Sequence, residues 1–331
     1  MVTDSFHSAS ELPPFPNGWY VFALSGELAP AKLIARRFMG QEVTLFRTEC
    51  GKVAAVDSYC PHLGAHFGYG GKVKGEVLQC PFHGFEFNAT GQCTATGYGT
   101  TVPPKAQLKS WPIREQNGFI LIYHHEEGCE PEWEVPTIDT TDWTPLICRT
   151  YTLNDHPQET TENSVDFGHF TFVHGYRKPK TIQEFEVDGP FLSTGYEVKR
   201  TFEVLGIRLG EYTLTFKPRV YGLGFSMVKV RVPLFRVEGR FWVLPTPTDE
   251  RKLTLRLAMR LKKWPTWLGG LTSRLMAFYI LKNYAADAEM DFPIWENKRY
   301  LKMPALAEGD GPIWKYRRWA RQFYGALVVS E

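Results

Sequence analysis

The sequence predicts an α+β fold, in which an N-terminal all-β domain precedes a second domain built from a large antiparallel sheet and helices. A chain of 331 residues is long enough for two domains. Its first third holds short strand-like runs divided by glycines, whereas residues 182–261 hold longer runs that alternate between apolar and polar side chains. We therefore predict a loose tail over residues 1–16, a first domain over 17–126 and a second domain over 127–331.

The first domain is predicted to consist of short antiparallel strands. Gly40 and Gly51 divide strand-like runs at residues 19–25, 31–39, 43–49 and 52–59. Further along, Gln116, Asn117 and Gly118 separate two apolar runs, a sequence typical of a tight hairpin. Residues 126–145 are acidic and contain prolines, and they predict an irregular linker across the surface.

The second domain is predicted to carry helical stretches on either side of its sheet. A helix within residues 153–175, ahead of the sheet, would place four side chains roughly along one side, namely Asn163, Asp166, His169 and His174. The last step is five residues long, so we expect a distorted turn or a helix end before His174. After the sheet, residues 266–290 predict a helix that ends ahead of Pro293. Its apolar face is expected to border an apolar pocket and comprises Leu268, Leu271, Leu275, Phe278 and Tyr279.

The composition is that of an ordinary globular protein with a high aromatic content of 15%. A net charge of +2 gives no indication of nucleic-acid binding. No run of about 18 apolar residues is present, so we predict no transmembrane anchor. Without a secretory signal we predict a cytoplasmic protein. Four of the six cysteines, at positions 50, 93, 129 and 148, lack paired spacing and are expected to be ordinary thiols.

Two Cys-His pairs lie in the stretch CPHLGAHFGYGGKVKGEVLQCPFHGFEF at residues 60–87. One residue separates Cys60 from His62. Two residues separate Cys80 from His83, and seventeen lie between the two pairs. This donor set matches a Rieske [2Fe–2S] centre, in which two cysteines hold one iron and two histidines hold the other. A zinc site is the alternative, but zinc ligands usually run C-x2–4-C and then H-x3–5-H, so the order here favours the Rieske cluster.

This stretch resembles the Rieske family closely. Members from respiratory complexes carry an extra cysteine in each loop, and those two cysteines form a disulfide. Ala65 and Phe82 stand at these positions here, so no such disulfide is available. The resemblance therefore favours the oxygenase branch of the family.

The run ENSVDFGHFTFVH at residues 162–174 resembles the N-x-x-D-x-x-H-x4-H motif of Rieske oxygenases. Alone, an H-x4-H pair is more often structural. With a Rieske motif on the same chain, His169 and His174 are expected to bind a mononuclear Fe(II). Two histidines and one carboxylate leave positions on such an iron open for O2 and substrate.

The same resemblance implies roles for the polar residues that precede these histidines. Asp166 is implied to be a bridging carboxylate, hydrogen-bonded to His169 and to the cluster histidine His83 of a neighbouring subunit. A carboxylate of this kind would hold the second ring nitrogen of a metal-binding imidazole. Asn163 is expected near the iron, and Glu162 is the less favoured alternative.

The third iron ligand has to come from further along the chain. The candidates are Asp287, Glu289 and Asp291. We favour Asp291, because DFPIWENK at residues 291–298 resembles the D-x-x-I-W-x-N-K ending of the sterol-type branch, in which the aspartate is the ligand.

The resemblance extends from about Trp19 to the C-terminal region. Residues 57–73, 109–123 and 131–136 look most like cholesterol 7-desaturases and 3-ketosteroid 9α-hydroxylases. It implies a helix-grip-like catalytic domain and a homotrimer in which each cluster serves a neighbouring iron. It also implies a terminal oxygenase that uses O2 to hydroxylate or desaturate an apolar, steroid-like small molecule.

The source of electrons is expected to be a separate protein. No G-x-G-x-x-G motif follows a strand, so no flavin or nicotinamide site is predicted on this chain. An NAD(P)H-dependent reductase or a ferredoxin would supply the electrons. Two alternatives stay open, namely the same machinery acting on an aromatic or alkaloid-like molecule, including oxidative demethylation, and a Rieske electron carrier. A carrier would bind only the two irons of its cluster, whereas an oxygenase would bind a third.

Overall fold

The computed structural model of the protein describes residues 12–204, 207–265 and 269–325. Across these residues an all-β domain is followed by a domain with a large antiparallel sheet and helices, which confirms the predicted α+β class. Residues 1–11 of the predicted tail lie outside the described residues. The rest of it is packed rather than loose, since Leu12 is buried and the Tyr20 hydroxyl donates to Pro16 O at 2.8 Å.

Short strands of the first domain pair into three antiparallel sheets, with the orders β1-β11-β10, β2-β3-β4-β9 and β5-β6-β7-β8. The Rieske motif occupies two loops, one between β4 and β5 and the other between β6 and β7. The strands are β1 (Gly18–Leu24), β2 (Lys32–Phe38), β3 (Gln41–Arg47), β4 (Val53–Asp57), β5 (Lys72–Lys74), β6 (Val77–Gln79), β7 (Glu86–Phe87), β8 (Cys93–Ala95), β9 (Ser110–Trp111), β10 (Ile113–Gln116) and β11 (Phe119–His124).

The predicted hairpin joins β10 to β11. Gln116 pairs with Phe119, and the turn residues Asn117 and Gly118 have φ angles of 59° and 90°. Positive φ at both central residues is typical of a type I′ turn, whose twist matches that of the flanking strands. The hairpin prediction is therefore confirmed.

Residues 125–146 belong to no strand, as predicted, but they are anchored to the protein. The Trp19 indole N–H donates to Trp133 O at 2.8 Å, and the Gln116 amide donates to Val135 O at 2.6 Å. Val135 and Trp143 are buried. The segment is therefore a packed strap between the domains rather than a linker that only crosses the surface.

One seven-stranded antiparallel sheet dominates the second domain and confirms the predicted large sheet. Its order is β12-β18-β17-β16-β15-β14-β13, so the last six strands form a continuous meander and the first strand pairs with the last. The strands are β12 (Ile147–Leu153), β13 (Arg177–Asp188), β14 (Phe191–Val204), β15 (Ile207–Tyr221), β16 (Phe225–Val232), β17 (Val237–Asp249) and β18 (Lys252–Leu261).

The two domains share a continuous apolar core. Trp19 and Phe119 of the first domain pack with Phe225 and Trp242 of the second, and the rings of Phe119 and Trp242 lie 5.6 Å apart. Such mixed packing removes apolar surface of both domains from water at their boundary. The relative placement of the domains is therefore set by the same contacts that stabilise them.

A buried arginine clamps β1 to the large sheet. Arg256 on β18 donates to Val21 O and to Phe22 O, both at 2.8 Å. The Thr246 hydroxyl also donates to Val21 O, at 2.9 Å. Burial lowers the pKa of Arg256 to about 10, and the hydrogen bonds to the two carbonyls compensate part of the cost of burying its charge. We call this group of contacts the arginine clamp.

Arg256→Met is expected to lower the free energy of unfolding by about 2–4 kcal/mol, because two buried carbonyls lose a charged donor. Chemical denaturation followed by circular dichroism measures the change. Lys252→Met, at the exposed start of the same strand, is the matched control and should stay within about 0.5 kcal/mol of the wild type. An Arg256→Met protein as stable as the wild type would contradict the clamp.

Five α-helices accompany the sheets in the described residues. No helix among these residues has the length and apolar content needed to cross a bilayer. The stretch predicted as one helix at residues 163–174 is broken by a turn. Sequence patterns also missed the last two helices, and the helices are α1 (Pro157–Glu162), α2 (His169–Phe172), α3 (Gly269–Glu289), α4 (Phe292–Asn297) and α5 (Ile313–Ala320).

The long helix α3 confirms the helix predicted at residues 266–290, but its orientation corrects the predicted apolar face. The positions at 266 and at Leu268 lie outside the described residues. The other four members of that face, Leu271, Leu275, Phe278 and Tyr279, are exposed. The buried side instead carries mainly small residues at a four-residue spacing, namely Gly269, Ser273, Ala277, Leu281 and Ala285. The sheet already supplies large side chains such as Phe241 and Met259, so small residues allow the helix to approach it.

Candidate metal centres

Both loops of the Rieske motif hold their cysteine in the same backbone arrangement. The Cys60 N–H donates to Ala65 O at 2.9 Å, and the Cys80 N–H donates to Phe85 O at 2.8 Å. In each loop the glycine four residues after the cysteine donates back to the cysteine carbonyl. These glycines, Gly64 and Gly84, have φ angles of 74° and 69°, a conformation that favours glycine.

The two loops bring their side chains together. Cys60 and Cys80 are buried, and none of the six cysteines forms a disulfide. Burial and the adjacent Cys80 sulfur raise the pKa of the Cys60 thiol to about 12. The rings of His62 and His83 lie 4.7 Å apart, and the buried Nδ1 of His62 has no hydrogen-bond partner. Two adjacent buried sulfurs beside an unsatisfied imidazole fit a [2Fe–2S] cluster, which would bind the thiolate forms.

A second group of ligand atoms lies in the second domain. One ligand atom from each of His169, His174 and Asp291 lies within 4.8 Å of the others. His174 Nε2 is 3.5 Å from Asp291 Oδ1. His169 begins α2, His174 lies just beyond its end, and Asp291 lies between α3 and α4. The predicted helix end before His174 is thus observed.

The surroundings of this group fit a divalent metal ion. His169 and His174 are partly buried, and Asp291 is buried. Two imidazoles and one carboxylate are the donor set of non-haem Fe(II) sites. Polar ligand atoms that converge in a mostly buried site are costly without a partner, and a bound cation would compensate that cost.

Asn163 lies beside this group, where its side-chain amide donates to Asp291 Oδ2 at 3.3 Å. The Trp295 indole N–H donates in turn to Asn163 Oδ1 at 3.4 Å. These contacts orient the carboxylate of Asp291. Sequence reasoning placed Asn163 near the metal but missed Trp295, although that tryptophan is part of the I-W-x-N-K ending.

Asp166 reaches from this group towards the protein surface. Its Oδ1 lies 3.5 Å from His169 Nδ1 and accepts the His169 backbone N–H at 3.2 Å. About a third of its side chain is exposed, at 33%. Burial tends to raise the pKa of Asp166, but the adjacent His169 outweighs this effect and the pKa is lowered. An ionised carboxylate thus contacts a candidate ligand on one side and solvent on the other.

The other candidate carboxylates have partners of their own. Arg200 binds Asp287 through two hydrogen bonds, of 2.7 and 3.1 Å, and the Tyr176 hydroxyl donates to the same carboxylate. Glu289 accepts a hydrogen bond from the Tyr151 hydroxyl at 2.7 Å. Glu162 forms a buried ion pair with Arg317, with contacts of 2.6 and 2.9 Å. Of the three aspartate and glutamate candidates for the third ligand, only Asp291 joins both histidines.

Aromatic side chains surround the second group. The ring of Tyr176 lies 5.8 Å from that of His174, and Phe170 and Tyr196 lie 4.8 Å apart. Phe216 packs against Tyr196 at 5.5 Å. The wall beside the candidate iron site is therefore apolar and aromatic, with the Arg200–Asp287 ion pair as a polar neighbour.

Comparison with known proteins identifies both domains. Residues 18–112 match the Rieske [2Fe-2S] domain, and residues 122–324 match the 3-ketosteroid 9alpha-hydroxylase C-terminal domain. A cholesterol 7-desaturase of Ciona intestinalis is 32% identical over 95% of this chain and 70% of its own length. A probable 3-ketosteroid-9-alpha-monooxygenase oxygenase component of Rhodococcus rhodochrous is 27% identical over 94% of this chain and 81% of its own length.

Solved structures share the fold. A dicamba monooxygenase bound to 3,6-dichlorosalicylic acid superposes with a TM-score of 0.75 at 21% identity, covering 96% of this chain and 99% of its own. Together these matches confirm the expectation of an oxidoreductase of the Rieske oxygenase class, with a Rieske cluster and a mononuclear iron as cofactors. The chain belongs to the Rieske oxygenases whose second domain is the 3-ketosteroid 9alpha-hydroxylase C-terminal domain.

Proposed function

We propose that the protein is a terminal oxygenase component that hydroxylates or desaturates an apolar, steroid-like molecule with O2. The convergence of His169, His174 and Asp291 beside an aromatic wall is the observation that carries this proposal. Relatives named for cholesterol and for 3-ketosteroids support the substrate class. Electrons come from a separate NAD(P)H-dependent reductase or a ferredoxin. A cytoplasmic location stays a prediction.

The proposed ligands divide between the two domains. Cys60, His62, Cys80 and His83 hold the Rieske cluster, and His169, His174 and Asp291 hold the mononuclear Fe(II). When bound, the cluster would supply single electrons and the iron would supply the activation of O2 for attack on a C–H bond.

The chain's own residues position these groups. Asn163 holds Asp291 in one orientation through its amide, and Trp295 fixes Asn163 in turn. Asp166 faces Nδ1 of His169, which leaves Nε2 of that ring available for the iron. The aromatic wall excludes water from the site and gives an apolar substrate a complementary surface.

Asn163→Ala is expected to weaken iron retention by about 10–100-fold, the range that loss of such supporting hydrogen bonds produces. Competition with a chelator, followed by iron analysis, measures the effect. Asn154→Ala changes an exposed asparagine and is the matched control, with retention unchanged. Equal retention in both variants would show that Asn163 does not orient the ligand.

A homotrimer with electron transfer between subunits is part of the proposal. Exposed apolar side chains lie next to the histidines of the Rieske motif, namely Leu63, Phe82 and Tyr98. On the second domain Phe172 is 92% exposed, and it lies near Asp166 and His169 in the chain. Exposed apolar patches of this kind are typical of interaction sites. A head-to-tail ring would cover both patches and would place His83 of one chain near Asp166 of the next.

The function is tested with a panel of sterols, ketosteroids and aromatic compounds, a surrogate reductase and mass analysis of products. We expect conversion of steroid-sized apolar compounds. Conversion of aromatic or alkaloid-like compounds alone would favour the alternative substrate class, and conversion of small charged acids alone would contradict both. Metal analysis separates the electron carrier from the oxygenase, because only the oxygenase binds a third iron.

A further inference from the structure

The outer side of α3 is apolar. Leu271, Leu275, Phe278 and Tyr279 are between 52% and 66% exposed. Steps of four, three and one residues place them on one side of the helix, opposite the small residues that face the sheet. A surface helix normally presents polar residues to solvent, so this arrangement is reversed.

A hairpin tip extends this apolar side. The turn Pro233–Phe235 between β16 and β17 exposes Leu234 and Phe235. Trp264 ties that turn to α3, because its indole N–H donates to Arg236 O at 3.2 Å and its backbone N–H donates to Ser273 Oγ at 3.0 Å. The turn is therefore held next to the first part of α3. We call the outer side of the helix together with this turn the α3 surface.

Positive charge accompanies the α3 surface. No aspartate or glutamate occurs in the sequence between Glu250 and Asp287. Arg274 and Lys282 are exposed on the outer part of the helix. Three further exposed basic residues lie at the hairpin tip and directly after β18, namely Arg236, Lys262 and Lys263.

We propose that the α3 surface docks on an anionic lipid bilayer. Leucine and aromatic side chains would enter the boundary between headgroups and acyl chains, while lysine and arginine would bind lipid phosphates. A second copy of the chain fits less well, because two copies meeting through this surface would place like charges against each other.

Docking would also affect how an apolar substrate reaches the protein. α3 ends two residues before Asp291, so the helix that meets the lipid also leads to a proposed ligand. An apolar substrate dissolved in the bilayer would then have a short path to the protein. This advantage rests on the proposed function, whereas lipid binding itself needs neither substrate nor turnover.

The test is co-sedimentation of the full chain with vesicles of phosphatidylcholine alone or mixed with phosphatidylglycerol. The wild type should bind the anionic vesicles and lose affinity as salt rises. Leu275→Ser combined with Phe278→Ser should weaken binding at least about tenfold, because two apolar anchors are lost. Arg274→Gln combined with Lys282→Gln should weaken binding to anionic vesicles about fivefold for each charge removed.

Matched controls change equally exposed residues elsewhere. Val187→Ser removes an exposed apolar side chain from the edge strand β13, and Lys32→Gln with Lys52→Gln removes two exposed charges from the first domain. These variants should bind as the wild type does. Absence of wild-type binding to anionic vesicles, or unchanged binding of the serine variant, would overturn the proposal. A serine variant whose oligomeric state changes while lipid binding persists would assign the surface to contacts between copies instead.

Discussion

Asp291→Ala is expected to abolish turnover while the visible absorption and the electron paramagnetic resonance of the Rieske cluster stay unchanged. Turnover and the cluster spectrum are expected to respond differently because the cluster loops belong to the first domain, whereas Asp291 lies between α3 and α4 of the second. Loss of the carboxylate leaves only His169 and His174 at the iron site. We expect iron affinity and turnover to fall by more than about 100-fold, the upper range for loss of a group that merely supports a ligand.

Two neighbouring carboxylates provide controls for this experiment. Asp287→Ala should retain the mononuclear iron, because Asp287 is bound by Arg200 and Tyr176 rather than directed at the histidines. Glu289→Ala should retain both iron and turnover, since Glu289 contacts Tyr151 near the surface. Iron loss in either control, with an active Asp291→Ala protein, would show that the ligand is assigned to the wrong residue.

Asp166→Asn is expected to leave both metals bound and the proposed trimer largely intact, while electron transfer between the metals collapses. An asparagine keeps the shape of the side chain but lacks the charge that faces His169. Single-turnover reduction of the iron by a pre-reduced Rieske cluster measures this step. Unchanged transfer in the asparagine variant would contradict a bridging role for Asp166.

Mixing of defective chains tests whether the transfer crosses a subunit boundary. His83→Ala chains lack a complete Rieske site and His169→Ala chains lack a complete iron site, so each should be inactive alone. Random trimers of the two in equal amounts should place an intact cluster beside an intact iron at about one quarter of the sites. Chains with both substitutions, mixed with His83→Ala chains, should recover nothing. No recovery in verified mixed trimers of the first kind would rule out transfer between subunits.

Sequence patterns predicted the parts of the sites that are local in the chain. The Cys-His pairs lie in loops whose glycines set the turn, and their spacing indicates a cluster. The residues from Asn163 to His174 lie in one short segment, and they were recognised through the resemblance of that segment to the Rieske oxygenase motif. The sequence left three candidates for the third ligand, and the fold distinguishes between them. Only the structure shows that Asp287 and Glu289 have other partners.

Features that depend on distant contacts escaped prediction. The periodicity of α3 indicated an apolar face. Which face is buried depends on the sheet, however, because its large side chains leave room mainly for the small residues of the helix. The last two helices, α4 and α5, have six and eight residues, which are too few to show a clear period. The arginine clamp joins residues more than two hundred positions apart, and no local pattern marks such a contact.

The arginine clamp and the shared core also limit which motions can regulate electron transfer to the iron. A first domain held at β1 by Arg256 and packed through Trp19 and Phe119 has to move together with the catalytic sheet. Electron arrival at the iron therefore cannot be regulated by the swing of one domain relative to the other. If Asp166 bridges the metals as proposed, a small shift of the non-helical segment between α1 and α2 would open or close the route without any motion of one domain relative to the other. Solvent viscosity should then have little influence on the rate of intermetal transfer.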